Sequence, residues 1–159
     1  MGYTNYWIFK DENCQGQYTI AKKEIREFIK WARKVHKYEI RCGRFKKPDD
    51  SLAYNGVGDD AGEEFYLDDY ISLARSFNYC KTGSNDYDGM VIASLFILKK
   101  YLQNSIQLKS DGFNHKSIEP NWPEYCDTEI KTGYKLFKEF QATLPTNWKS
   151  DGIIPMFKK

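Results

Sequence analysis

The sequence is poor in the features that most readily name a function. Its four cysteines, Cys14, Cys42, Cys80 and Cys126, lie 28, 38 and 46 residues apart, and its two histidines, His36 and His115, stand alone. No zinc-knuckle spacing is present, and a disulfide framework of a small secreted domain is not implied. There is no Gly-x-Ser-x-Gly elbow and no Gly-Lys-Ser/Thr phosphate loop, so serine-triad and Walker-type chemistry lack a starting motif. The longest apolar-rich run, Met90–Leu98, is too short to span a bilayer. Met1-Gly2-Tyr3-Thr4-Asn5 carries no apolar targeting stretch, and no Asn-x-Ser/Thr acceptor occurs. These absences lead to the expectation of a cytoplasmic protein with free thiols and no membrane partner.

Aromatic side chains, by contrast, are abundant: 12 Tyr, 10 Phe and 4 Trp among 159 residues. Each buries a large apolar area, which permits a compact core despite a mean hydropathy of −0.70. The net charge of +2 conceals two opposed blocks. Residues 21–47 hold eleven bases against Glu24, Glu27 and Glu39, a balance of +8. Residues 49–69 hold eight acids and no base, a balance of −8. The two blocks either pair or solvate neighbouring faces, or they make a two-faced molecule with a surface for each sign. Their near-cancellation argues against nucleic acid as the partner of the basic helix, although Trp31 beside it offers a stacking ring.

Hydrophobic periodicity predicts an α+β single domain over residues 1–159, with an irregular tail from about residue 142. Its mixed or mainly antiparallel sheet has about five strands and packs with three helices. Strands are expected at Tyr3–Phe9, Tyr38–Cys42, Leu52–Tyr54, Glu64–Leu67, Phe77–Cys80 and Ile106–Leu108, with a short extended piece at Tyr18–Ile20. Helices are expected from Lys22 to about His36, from about Tyr87 to Gln103, and from Pro123 to about Phe140. Ser84, Asp86 and Asp88 are candidate caps of the second helix, which is apolar enough to be covered on more than one side. Pro48–Ser51 reads as a turn. Leu52–Tyr54 and Glu64–Leu67 form the arms of a hairpin whose tip, from Asn55 to Gly62, contains three glycines.

Two places could carry chemistry. At the tip and after it, Asp59, Asp60, Glu63 and Glu64 offer hard oxygen donors for Mg²⁺ or Ca²⁺, and Asp59, Glu63 and Glu64 with Asp88 are the basis of an alternative reading as a Mg²⁺-dependent phosphoester hydrolase. At the strand-to-helix junction, Cys80, Lys81 and Thr82 lead to Tyr87 and Asp88. Backbone N–H groups at a helix start favour an anion, and a nearby cation would lower the Cys80 pKa. No base is placed beside that thiol by sequence, so a buried structural cysteine is the plainer alternative.

The strings Gly2-Tyr3-Thr4-Asn5-Tyr6-Trp7, Asn55-Gly56 with Glu64-Phe65, Phe77-x-x-Cys80-Lys81-Thr82 and Tyr87-Asp88 resemble a family of small uncharacterised phage, large-virus and cellular proteins. The resemblance covers mainly residues 2–9 and 54–98, and it carries over no catalytic residue. It implies that Asn55, the Cys80–Thr82 junction and Asp88 share one surface. Members have a basic residue and Pro before the Tyr-Asp pair where this chain has Asn85-Asp86, which weakens the case for an anion there. The leading expectation is a non-catalytic binding protein, of the kind of a phage accessory or anti-defence factor, capturing a nucleotide-like ligand or a host protein. Its site would comprise Asn55, Glu64, Cys80, Lys81, Thr82, Tyr87 and Asp88, without a cofactor. Self-association through exposed aromatics is a third alternative.

Overall fold

A computed structural model describes residues 3–42, 51–71, 77–83, 85–111 and 128–145. Alternation of inward Asn5, Trp7 and Phe9 with Tyr6 and Ile8 makes β1 (Thr4–Phe9) the centre of an antiparallel sheet, between β5 (Phe77–Lys81) and β6 (Ile106–Ser110). A second antiparallel sheet runs β2 (Ile40–Cys42), β3 (Leu52–Gly56), β4 (Phe65–Leu67), with Tyr54 opposite Phe65 as the hairpin reading requires. The domain is therefore α+β, but six strands divide into two sheets rather than forming one of about five. The sheets meet where the Trp7 ring lies 5.2 Å from Phe65, which lies 5.2 Å from Tyr54. A backbone bond from the Glu63 N–H to the Lys81 carbonyl, at 2.9 Å, links the segment before β4 to β5.

Helix α1 (Gln15–Val35) begins seven residues before the expected Lys22 and absorbs Tyr18–Ile20, which is not extended. The reason is that Tyr18, Ala21, Ile25, Phe28 and Ala32 recur at helical spacing and are all fully buried, while Ile20 tolerates the solvent side. Lys22 lies on the buried stripe as well. Its ammonium donates to the Asp68 and Asp69 carbonyls at 3.1 and 2.7 Å and sits 4.8 Å from the Tyr18 ring centre, whose hydroxyl also reaches Asp68 O. One member of the basic block thus anchors the end of the acidic block, through backbone rather than carboxylates.

Helix α2 (Asp88–Leu102) is the core: every residue but Lys99 is buried. It packs against α1, β6, β1 and α3 (Thr128–Thr143). No side chain caps it, so neither Asp86 nor Asp88 plays that part, and Ser84 lies outside the described residues. The Pro48 turn and the Pro123 helix start also lie outside them, and α3 runs three residues past Phe140, two residues into the stretch read as tail. Its crossing with α2 is close because Gly133 faces Ile92: a Cβ there would sit 2.4 Å from Ile92 Cγ2 and 2.5 Å from its Cβ. Substituting Gly133→Ala should therefore cost about 2 kcal/mol despite the better helix propensity of alanine, seen as a lower urea midpoint. A midpoint equal to or above that of the parent would show that the crossing relaxes freely. No described helix is long and apolar enough to cross a membrane.

Candidate functional site

The hairpin tip and the strand-to-helix junction do come together, and side chains named from the sequence join them. Asn55 folds the tip onto itself: its Oδ1 accepts from the Gly56 and Gly62 amides at 2.8 and 3.1 Å, and its Nδ2 donates to the Gly62 carbonyl at 2.9 Å. Between these points the chain makes one 3₁₀ turn, Gly58–Asp60. The Tyr87 hydroxyl donates to the Glu63 carbonyl at 2.9 Å, and the Cys80 thiol reaches the same oxygen at 3.3 Å. Glu63 Oε2 in turn accepts from the Lys81 amide at 2.9 Å. Gly62 allows this docking, since a Cβ there would lie 2.5 Å from Tyr87 Oη and 2.7 Å from the Lys81 carbonyl.

Beneath the junction runs a buried polar relay. Thr82 Oγ1 and Asn5 Nδ2 both donate to Asp88 Oδ1, the second at 2.8 Å, and Asn5 Oδ1 accepts from Ser110 Oγ at 2.8 Å. The sheet register explains the row: Asn5 is directly opposite Cys80 on one side and Ser110 on the other. Asn5 was not among the residues chosen from the sequence. The available signal was a polar residue at an inward strand position, in step with Trp7 and Phe9.

The gathered groups therefore hold the hairpin tip and β1 against the start of α2. Asn55, Cys80, Thr82, Tyr87 and Asp88 use their polar atoms on one another or on nearby backbone, while Glu64 and the Lys81 side chain are exposed. Burial pushes the Cys80 thiol pKa well up, and the Glu63 and Asp88 charges push it further, the reverse of the lowering an activated thiol needs. The four proposed metal donors are scattered among different tasks. Asp88 is buried in the relay, Glu63 holds Lys81, and Asp59 and Glu64 point to solvent. Among the described residues no three of His, Cys, Asp and Glu gather as ligands.

A cleft of about 560 Å³ lies at the head of α2. Its walls come from the segment leaving α1 (His36, Lys37, Tyr38, Glu39), from Asp60, and from Asn85–Gly89, with Thr132 of α3. Lys37, at φ 59°, turns the chain off α1 into β2 and so brings Tyr38 to the helix crossing, where its hydroxyl lies 3.7 Å from the place of a Cβ on Gly89. His36 Nε2 is 2.8 Å from Glu139 Oε2, which ties this segment to α3. Glu39, Asp60 and Asp86 are exposed around the opening. Burial raises the Tyr38 pKa, and the charges of Asp86 and Glu139 raise it further, so the phenol sits in a negative field. His36, Asp60, Asp86, Tyr87 and Asp88 stand out in the sequence for separate reasons, but nothing there joins them into one cleft, because the lining residues are distant in sequence and carry no common motif. Comparison with family models, curated proteins and solved structures finds no match.

Proposed function

We propose that this chain is a non-catalytic binding protein, and that the cleft at the head of α2 receives a cationic side chain or tail of a protein partner. The observation that carries the reading is the pairing of shape with sign. A cleft of about 560 Å³ is bordered by Glu39, Asp60 and Asp86, with Lys37 as the opposing base and His36 engaged by Glu139. Complementary potential steers an encounter and fixes its register. An anionic nucleotide would meet three carboxylates there, which favours the protein arm of the expectation over the nucleotide arm. The floor, Gly89 and Thr132 at the α2–α3 crossing, belongs to packed helices and needs no ordering before a ligand arrives.

Fluorescence anisotropy with a labelled lysine-rich peptide tests this. Saturable binding should weaken with salt and fall about tenfold in the Asp60→Asn, Asp86→Asn double variant, with an Asp11→Asn control unchanged. Equal binding by the double variant and the parent would remove the cleft from consideration. A melting temperature raised by Mg²⁺, reversed by EDTA and insensitive in Glu64→Gln, would instead favour the metal-dependent hydrolase.

A further inference from the structure

The outer face of the sheet formed by β5, β1 and β6 bears a cluster of aromatic rings that the core does not use. Phe77 and Tyr79 are 49% and 55% exposed, although strand aromatics ordinarily bury most of their surface. Strand alternation puts both on the same side as Tyr6, which lies directly opposite Tyr79 in the register. The rings form one continuous row: Tyr6 to Phe77 at 5.7 Å between centres, and Phe77 to Tyr79 at 6.5 Å. Exposed lysines stand at three positions around it. Lys81 follows Tyr79 by two residues, Lys109 is paired with Tyr6 across the sheet, and Lys10 ends the same alternation on β1. Two acids meet its margin: Asp111 accepts from the Tyr6 hydroxyl at 3.3 Å and the Thr4 amide at 3.0 Å, and Glu63 Oε2 accepts from the Lys81 amide at 2.9 Å.

The geometry points to a stacking platform for single-stranded nucleic acid on this sheet face. Unpaired bases offer flat π-faces that stack on exposed rings regardless of sequence, while ammonium groups beside the rings meet the phosphates. The antiparallel sheet carries these aromatics on its middle strand and on β5, with ring centres 5.7 and 6.5 Å apart and planes tilted by 36° and 40°. A duplex, whose bases are already stacked inside, has nothing to give these rings. The rings and lysines of the platform belong to neither the +8 nor the −8 block, and Glu63 of the acidic block meets the platform at the Lys81 backbone, at one end of the row. The platform is separate from the α2 cleft in residues and in sign, and it stands or falls independently of the reading given to that cleft.

The test is anisotropy with a labelled oligo-dT of about 15 nucleotides, alongside a mixed-sequence duplex of the same length. The single strand should bind, and Tyr79→Ala and Phe77→Ala should each weaken it about tenfold. Tyr79→Phe, which keeps the ring, should stay within about twofold of the parent. Lys109→Gln should lower the slope of log affinity against log salt by about 0.7. Both aromatic side chains are exposed, and circular dichroism melts matching the parent would confirm that the variants fold. Duplex binding as tight as single-strand binding, or no effect of Tyr79→Ala, overturns the proposal. So does a concentration-dependent dimer in light scattering that Tyr79→Ala dissolves, which would assign the face to a second copy of the chain.

Discussion

Replacing Lys100 by Met will cost about 3 to 5 kcal/mol of stability, because it strands a carboxylate inside the helical layer. Glu24 of α1 is fully buried, and its Oε1 accepts from the Lys100 ammonium at 2.6 Å and from the Tyr101 hydroxyl at 2.7 Å. Gln141 of α3 closes the network, accepting from Lys100 at 2.6 Å and donating to Glu24 Oε2 at 3.0 Å. Burial lowers the Lys100 pKa, and the Glu24 charge opposes that shift without cancelling it. Such a pair is expensive to form and more expensive to break. The double variant Glu24→Met, Lys100→Met should consequently recover most of the loss. Urea unfolding of the two single variants and the double measures this. A Lys100→Met cost below about 1 kcal/mol would mean that water reaches Glu24 readily.

Asp88→Ala should destabilise by about 3 kcal/mol, through a different mechanism. The Asn5 amide and the Thr82 hydroxyl both donate to Asp88 Oδ1, and both residues are buried. Removing that oxygen takes the acceptor from the buried Asn5 amide and leaves the Thr82 hydroxyl with the Tyr3 carbonyl at 3.5 Å, where an unmet buried donor is worth roughly 1 to 3 kcal/mol. Asp88→Asn preserves an acceptor oxygen and should cost about 1 kcal/mol. Thermal unfolding would display the contrast: for a chain of this length, about 3 kcal/mol corresponds to a drop of roughly 6 to 12 °C. Equal melting temperatures for the alanine and asparagine variants would show that the relay does not hold β1 to the start of α2.

The two predictions mark where sequence reading stops. Glu24, Lys22 and Lys100 sit among charged neighbours and look like solvated helix residues, yet all three are buried. Nothing local distinguishes them, since each is stabilised by a partner at least 41 positions away, including Gln141 and the Asp68 and Asp69 carbonyls. The start of α1 was misplaced for a related reason. Tyr18, Thr19 and Ile20 have strand-like propensities, and the burial of Tyr18 against Phe9 and Asp68 overrides them.

At the site, the grouping of Asn55, the Cys80–Thr82 junction and Asp88 on one surface is an implication of the motif resemblance and not of local residue chemistry, and what their polar atoms bond to is not legible in the sequence. Whether a carboxylate faces a ligand or an internal amide depends on what lies opposite, and Asn5 and Ser110 reach Asp88's neighbourhood only through sheet register. The cleft walled by His36–Glu39, Asp60 and Asp86 was invisible for the same reason.

The sequence by itself determined the elements: the strands, the hairpin, the apolar α2 and an α+β domain, all of which follow from local periodicity and turn chemistry. Only the tertiary structure decided how six strands divide into two sheets, which charges go inside, and which faces remain open. Those outcomes depend on pairings between distant residues, where desolvation is offset by a specific partner. Local pattern carries no record of that partner.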